Sequence, residues 1–267
     1  MKEPQKVCLS IAGLDPSGGA GILADVRAFA AFGCFPSAAV TSLTYQNTQG
    51  VFGSENQSGE EVERQIMPIL DDYSLGAVKT GMLPSAEVIE AVARLLGTIP
   101  DVPLVVDPVV RSTSGFDLID DAALRSLTRR LFPMAAVVTP NLAEAERIAG
   151  IAIEADDDLD RAAEVMHELG ARYVLIKGGH RIPGSDPAKA VDHLFIDGAR
   201  HEITGEYIET TSTHGTGCIL SSAIAANLAL GKQLVEAVTV AKAFVSEAIR
   251  TAPGLGKGNG PINIRAI

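Results

Sequence analysis

The chain lacks an excess of basic charge, has few cysteines and contains neither a long apolar run nor a low-complexity tract, and each shortage excludes a class of function. Of its 267 residues, 22 are Lys or Arg and 33 are Asp or Glu, a net charge of −11. So acidic a chain repels polyanions, and neither nucleic acid nor an anionic membrane is expected as a partner. The three cysteines, Cys8, Cys34 and Cys218, are an odd number without metal-ligand spacing in a chain that needs no disulfide staples, which points to a reducing cytoplasm. No stretch approaches the roughly 18 apolar residues of a membrane span. The opening MKEPQKVCLSIAGLDPSGG interrupts its apolar run with Asp, Pro and Gly, so no signal peptide is expected either. No linker, charge block or internal repeat divides residues 1–267, and they are expected to form a single domain.

What the sequence does contain is a short β-rich apolar run followed by a helical stretch, repeated. That alternation predicts an α/β fold with a mainly parallel central sheet and helices on both faces. Strands are predicted over residues 6–12, 37–45, 75–80, 103–107, 135–139 and 172–177. Ser58 with Glu61, and Asn141 with Glu144, have the spacing of capping boxes, while Gly150 and Gly170 stand where a glycine ends a helix. Asp197-Gly198 between AVDHLFI and ARHEITG predicts an antiparallel edge hairpin. Two apolar helices follow, residues 215–230 and 233–251, and then the glycine-rich tail GLGKGNGPINI.

The segment THGTGC, residues 213–218, opens the first of those apolar helices. Gly215 and Gly217 let successive N–H groups converge, and the helix dipole adds positive potential, so the site suits a phosphate or a developing phosphoryl charge. Cys218 falls in the first turn, where a lowered thiol pKa is expected. A tight turn into a buried helix, with Cys218 as a small core residue, is the plainer alternative. The second glycine segment, GLDPSGGAGILADVRAF, resembles a dinucleotide fingerprint, but the acidic residue such a site needs near the end of the next strand is missing. No G-x-x-x-x-G-K-[ST] occurs, which excludes a Walker-type loop. Polar residues also gather at strand ends: Gln46, Lys79, Asp107, Asn141 with Glu144, and Lys177 before Gly178-Gly179-His180. Each has a structural alternative as a cap, a turn or a solvated strand end. Together they suit Mg²⁺ held mostly through water and a lysine on a nucleotide phosphate.

GLDPSGGAGILAD, Gln46-Asn47-Thr48, KTGM, VVDPVV, TPNLAEA, KGGH and THGTGC occur in this order over nearly the whole chain. The set resembles the hydroxymethylpyrimidine/phosphomethylpyrimidine kinases of thiamine biosynthesis, within the ribokinase-like superfamily. The resemblance implies a ribokinase-like sheet, ATP and Mg²⁺ as cofactors, transfer of the γ-phosphate to a hydroxymethyl group and then to the phosphate just made, and a homodimer. It assigns the small-molecule pyrimidine to Gly13, Asp25, Gln46, Met82 and Val109. It assigns the nucleotide to Asn141, Lys177, Thr216 and Lys242, and the metal to Asp107 and Glu144. Gly215 and Gly217 would form an anion hole, with Cys218 as the base. Two positions depart from the pattern: Thr113 stands where a lysine is expected, leaving Arg111 as the candidate charge, and the tail reads GNGPIN where a histidine is common. A pyridoxal kinase of the same fold and a non-catalytic vitamin-precursor binding protein are the alternatives.

Overall fold

In the computed structural model, which describes residues 4–110, 118–179 and 186–265, the apolar runs assemble into one nine-stranded sheet. In chain order its strands are β1 (Val7–Leu14), β2 (Phe35–Asn47), β3 (Gly50–Asn56), β4 (Leu75–Thr80), β5 (Leu104–Val106), β6 (Val137–Val138), β7 (Val174–Ile176), β8 (Lys189–Ile196) and β9 (Ala199–Glu206). Their spatial order is β3-β2-β1-β4-β5-β6-β7-β8-β9. The six strands from β2 to β7 in that order are parallel, and the predicted strands are these six, longer or shorter by a few residues. The Asp-Gly hairpin closes one edge as expected, with φ of 50° at Asp197 and 77° at Gly198. Two successive positive φ values match a tight turn to the right-handed twist of the strands it joins.

The opposite edge departs from the sequence reading. Gly50–Asn56 pairs antiparallel with the end of β2 as a second edge hairpin. Most of its side chains are exposed, so it carries no apolar alternation to betray it.

Among the described residues eight α-helices cover the sheet: α1 (Gly21–Ala31), α2 (Gly59–Asp72), α3 (Ala86–Leu96), α4 (Asp121–Arg130), α5 (Leu142–Ala149), α6 (Asp156–Glu168), α7 (Thr216–Ala229) and α8 (Leu234–Arg250). The short central strands are buried on both faces, which is why they read as continuous apolar runs rather than alternating ones. Val106 and Val138 face the core under α2 to α6, while their neighbours Val105 and Val137 face the core under α1, α7 and α8. Helix α7 lies wholly inside that second layer, with ten of its 14 residues buried. Phe29 is fully buried there, and Phe32 stacks edge-on against Phe244 at 4.9 Å. Both capping boxes form, at Ser58 with Glu61 and at Asn141 with Glu144. Because the central strands run parallel, the ends of β1, β4, β5, β6 and β7 all open on one edge of the sheet, where folds of this class bind ligands.

Candidate active site

A cavity of about 1020 Å³ occupies that edge. Its floor is the start of α7. Gly215, the residue before the helix, has φ of 82°, and a Cβ there would stand 1.9 Å from the Gly19 carbonyl oxygen, so only glycine fits. A Cβ on Gly217 would stand 3.1 Å from Lys177 Nζ. The lysine ammonium therefore lies against the glycine turn that opens α7. The Thr216 hydroxyl donates to the Thr213 carbonyl at 3.1 Å and closes the turn.

Cys218 is in the first turn, on the cavity wall. Its acidity is the reverse of the expectation. Burial pushes the thiol up to about 11; Lys79 and the Gly21 N–H work against this, whereas Asp107 and Asp25 add to it. Two nearby carboxylates and a poorly hydrated site outweigh what the helix N-terminus contributes.

Lys177, just past β7, donates to Asp107 Oδ1 at 2.8 Å and lies 3.9 Å from Glu144 Oε2. Asp107, just past β5, also accepts from Thr139 Oγ1 and from Ser221 Oγ on α7, both at 3.2 Å. Burial opposes its charge, yet Lys177 and then Lys79 hold its carboxyl below the ordinary range. Glu144 accepts from the Asn141 N–H at 2.8 Å, and burial raises it to about 7, with Lys177 opposing and Asp107 assisting. Asn141 is the cap of α5, and the segment around it pairs with Lys177 as a short parallel bridge. Lys242 reaches the cavity from α8 but is bound to the buried Asp192 at 2.9 Å.

Gln46, Val109 and Ala20 also line the cavity, Ala20 beside Gly215 and Val109 donating its N–H to the Asp107 carbonyl at 2.8 Å. The Gln46 amide donates to Thr44 Oγ1 at 2.6 Å, and that hydroxyl donates to the Leu14 carbonyl at 2.9 Å, so the amide is oriented in advance. The cavity thus gathers Gln46, Val109, Asp107, Asn141, Glu144, Lys177, Gly215, Thr216, Gly217, Cys218 and Lys242, residues drawn from distant parts of the sequence. Gly13, Asp25 and Met82 are not on its wall. Gly13 packs under Met82, with 3.2 Å from a built Cβ to the Met82 sulfur. Asp25 is fully enclosed: Lys79 Nζ donates to both carboxylate oxygens at 2.9 and 3.0 Å, joined by Ser10 Oγ at 2.6 Å and Ser222 Oγ at 2.7 Å. It is a buried ion-pair centre beneath the site, with no oxygen left for a ring. Arg111, Thr113 and His180 lie outside the described residues.

Sequence reasoning missed the Asp15–His214 pair, the Asp192–Lys242 pair and the hydroxyls of Ser221 and Ser222. Each joins segments far apart in the chain, and the serines look like ordinary helix residues. The GNGPIN tail packs beside the site. It crosses the β2–β3 turn, where the N–H groups of Lys257 and Gly258 reach Thr48 Oγ1 at 3.2 and 3.4 Å, and then runs beside His214.

Comparison with known proteins accounts for this assembly. The family model described as phosphomethylpyrimidine kinase matches residues 15–263. The chain is 40% identical over 259 residues to the hydroxymethylpyrimidine/phosphomethylpyrimidine kinase of Staphylococcus aureus, covering 97% of this chain and 93% of that protein. It is 44% identical over 260 residues to the thiamine biosynthesis bifunctional protein ThiED of Geobacter sulfurreducens, covering 97% of this chain but spanning 52% of that longer protein. Among solved structures, an ADP complex of Bacillus subtilis pyridoxal kinase superposes with a TM-score of 0.89 at 33% identity, covering 98% of each chain. A phosphomethylpyrimidine kinase from Clostridium difficile superposes with a TM-score of 0.79 at 39% identity, covering 92% of this chain and all of that one. The solved structures share the ribokinase-like fold with this protein, and the chain belongs to the phosphomethylpyrimidine kinase family of phosphotransferases.

Proposed function

We propose that this chain uses ATP and Mg²⁺ to phosphorylate hydroxymethylpyrimidine and then its monophosphate, giving the pyrimidine diphosphate used in thiamine biosynthesis. The observation that carries the reading is one cavity lined by two unlike sets of groups: Gly215, Gly217 and Lys177, suited to an anion, and Gln46 and Val109, suited to reading a ring, with Cys218 on the same wall. The names of the family and of its relatives supply the substrate class.

Asp107 and Glu144 fit a magnesium site. They are two hard oxygen donors beside the lysine that would meet a phosphate, and no cluster of three metal-ligating side chains occurs among the described residues. That suits an ion completed by phosphate oxygens and water. When bound, the ion supplies charge neutralisation to the nucleotide phosphates. The α7 N–H groups and Lys177 face the charge that develops on the transferred phosphoryl group. Cys218 Sγ, in its thiolate form, takes the hydroxymethyl proton as the alcohol oxygen bonds to the γ-phosphorus and the bond from that phosphorus to the departing ADP breaks. In the second phosphorylation the acceptor is a monoester, already mostly ionised near neutral pH, and needs no base.

ADP release measured with hydroxymethylpyrimidine, its monophosphate and pyridoxal side by side tests the reading. Preferred turnover of the two pyrimidines supports it. Preferred turnover of pyridoxal favours a second reading as a pyridoxal kinase, which the high superposition on the Bacillus subtilis enzyme keeps in view. The same proposal makes the chain one cytoplasmic domain acting as a homodimer. No helix among the described residues is long and apolar enough to cross a membrane, and Tyr45 and Phe52 remain 53% and 71% exposed on the β2–β3 edge. Sedimentation velocity tests the pairing.

A further inference from the structure

We propose that His214 is a positioning residue that acts through Asp15, locking the glycine loop of residues 13–21 against the start of α7 and so giving the phosphoryl-binding turn its working shape. The proposal rests on the kinase activity proposed above.

Asp15 and His214 lie 199 residues apart and meet with His214 Nε2 2.7 Å from Asp15 Oδ2. Asp15 is 1% exposed and also accepts from Ser17 N at 2.8 Å, Ser17 Oγ at 2.9 Å and Ala20 N at 2.9 Å. Burial works against its charge, but the bonds from His214 and Ser17 hold the carboxyl below its ordinary value. A carboxylate only accepts, so Nε2 carries the proton, and that proton is committed to Asp15 rather than to the reaction.

The contact is steric as well as polar. A Cβ on Gly19 would stand 2.2 Å from His214 Cδ2, so the imidazole lies directly on the loop backbone. One residue further, a Cβ on Gly215 would stand 1.9 Å from the Gly19 carbonyl oxygen. The loop and the turn are therefore seated on each other around this pair, and the backbone N–H of His214 ties the tail in as well, donating to the Gly260 carbonyl at 3.0 Å. The loop ends at Gly21, whose N–H favours the ionised form of Cys218. Loss of the lock lets the loop and the turn beside Cys218 shift together, while the Lys177–Asp107 pair keeps its own supports and the Gln46 amide meets the loop only through Thr44 at Leu14, the last residue of β1. That geometry predicts damage to the transition state without comparable damage to substrate binding, because a displacement of about 1 Å at the reacting centre costs about 10²-fold in rate.

The test compares wild type, His214→Ala and His214→Gln for kcat and for KM of ATP and hydroxymethylpyrimidine. The folded fraction is measured by circular dichroism, and dissociation constants are measured for Mg²⁺-ADP with and without aluminium fluoride as the phosphoryl mimic. His214→Ala is expected to lose about 10²-fold in kcat with both KM values within about threefold of wild type. It should bind Mg²⁺-ADP normally and lose most of the extra affinity that fluoride confers. The Gln amide can still donate to Asp15, so His214→Gln should recover at least about tenfold of that rate. A His214→Ala kcat within threefold of wild type, a loss confined to KM, or a Gln variant as slow as the Ala variant overturns the proposal. If His214→Ala does not fold, His214→Asn takes its place, since its shorter amide falls short of Asp15; equal rates for Asn and Gln overturn the proposal. Wild-type protein that turns over none of the three acceptors overturns the kinase reading and this proposal with it. Active wild type with an unaffected His214 variant overturns this proposal alone.

Discussion

Cys218 separates the two phosphorylations, and pH is the perturbation that exposes it. With the thiol at about 11, roughly one molecule in 3000 carries the thiolate at pH 7.5, against roughly one in 30 for an ordinary thiol near 9. Reaching the ionised state costs about 5 kcal/mol at that pH, of which the rise above an ordinary thiol accounts for somewhat more than half. A base so hard to ionise has high proton affinity once formed and is well matched to an alcohol, so the rate follows its rare thiolate. Turnover of hydroxymethylpyrimidine should therefore rise about tenfold per pH unit between roughly pH 7 and 9.5. The monophosphate, whose second ionisation lies near 6, should show no such rise. Cys218→Ala should lower the first step by about 10²–10⁴ and the second by less than about tenfold. Rapid-quench single turnovers with each acceptor across this pH range keep product release out of the measurement. Equal pH slopes on the two acceptors, a flat profile on the alcohol, or equal losses in Cys218→Ala would refute the assignment of Cys218 as the base of the first step.

Lys79→Met strands the Asp25 carboxylate with only the Ser10 and Ser222 hydroxyls; it should cost about 3–5 kcal/mol in urea unfolding. Adding Asp25→Leu should return at least half of that, and a single-variant loss below about 1 kcal/mol would show that the pair is not electrostatically closed. Glu144, raised from 4.5 to about 7, favours its neutral form in the fold, so its contribution to stability is complete below about pH 4.5 and is lost as pH rises through 7. In EDTA, Glu144→Gln should therefore match wild type at pH 4.5 and be more stable by up to about 3 kcal/mol at pH 8, while needing more Mg²⁺ for half-maximal activity; a stability gain independent of pH would contradict this. Gln46→Ala should raise KM for the pyrimidine by about 10-fold or more and narrow its preference over pyridoxal, whereas an unchanged KM places the ring elsewhere.

Much of this protein is local information. The apolar runs 75–80 and 103–107, the capping boxes at Ser58 and Asn141 and the Asp197-Gly198 turn are legible because hydrogen bonds, φ preferences and apolar periodicity act over a few residues. Motif order identified the family on the same footing, since Gly215 and Gly217 are needed by the turn they themselves make. Other features were decided only when distant segments met. Strand β3 owes its existence to its partner β2 and not to its own exposed residues. The acidity of Cys218 depends on Asp107, Asp25 and Lys79 arriving around it, which reversed the expectation drawn from its helix position. Asp25 became half of a buried ion pair because Lys79, 54 residues later and near the end of β4, reaches it on α1. Asp15 found His214 across 199 residues. Burial and electrostatic fields are properties of the assembled interior, and neighbours in space set them where neighbours in sequence cannot.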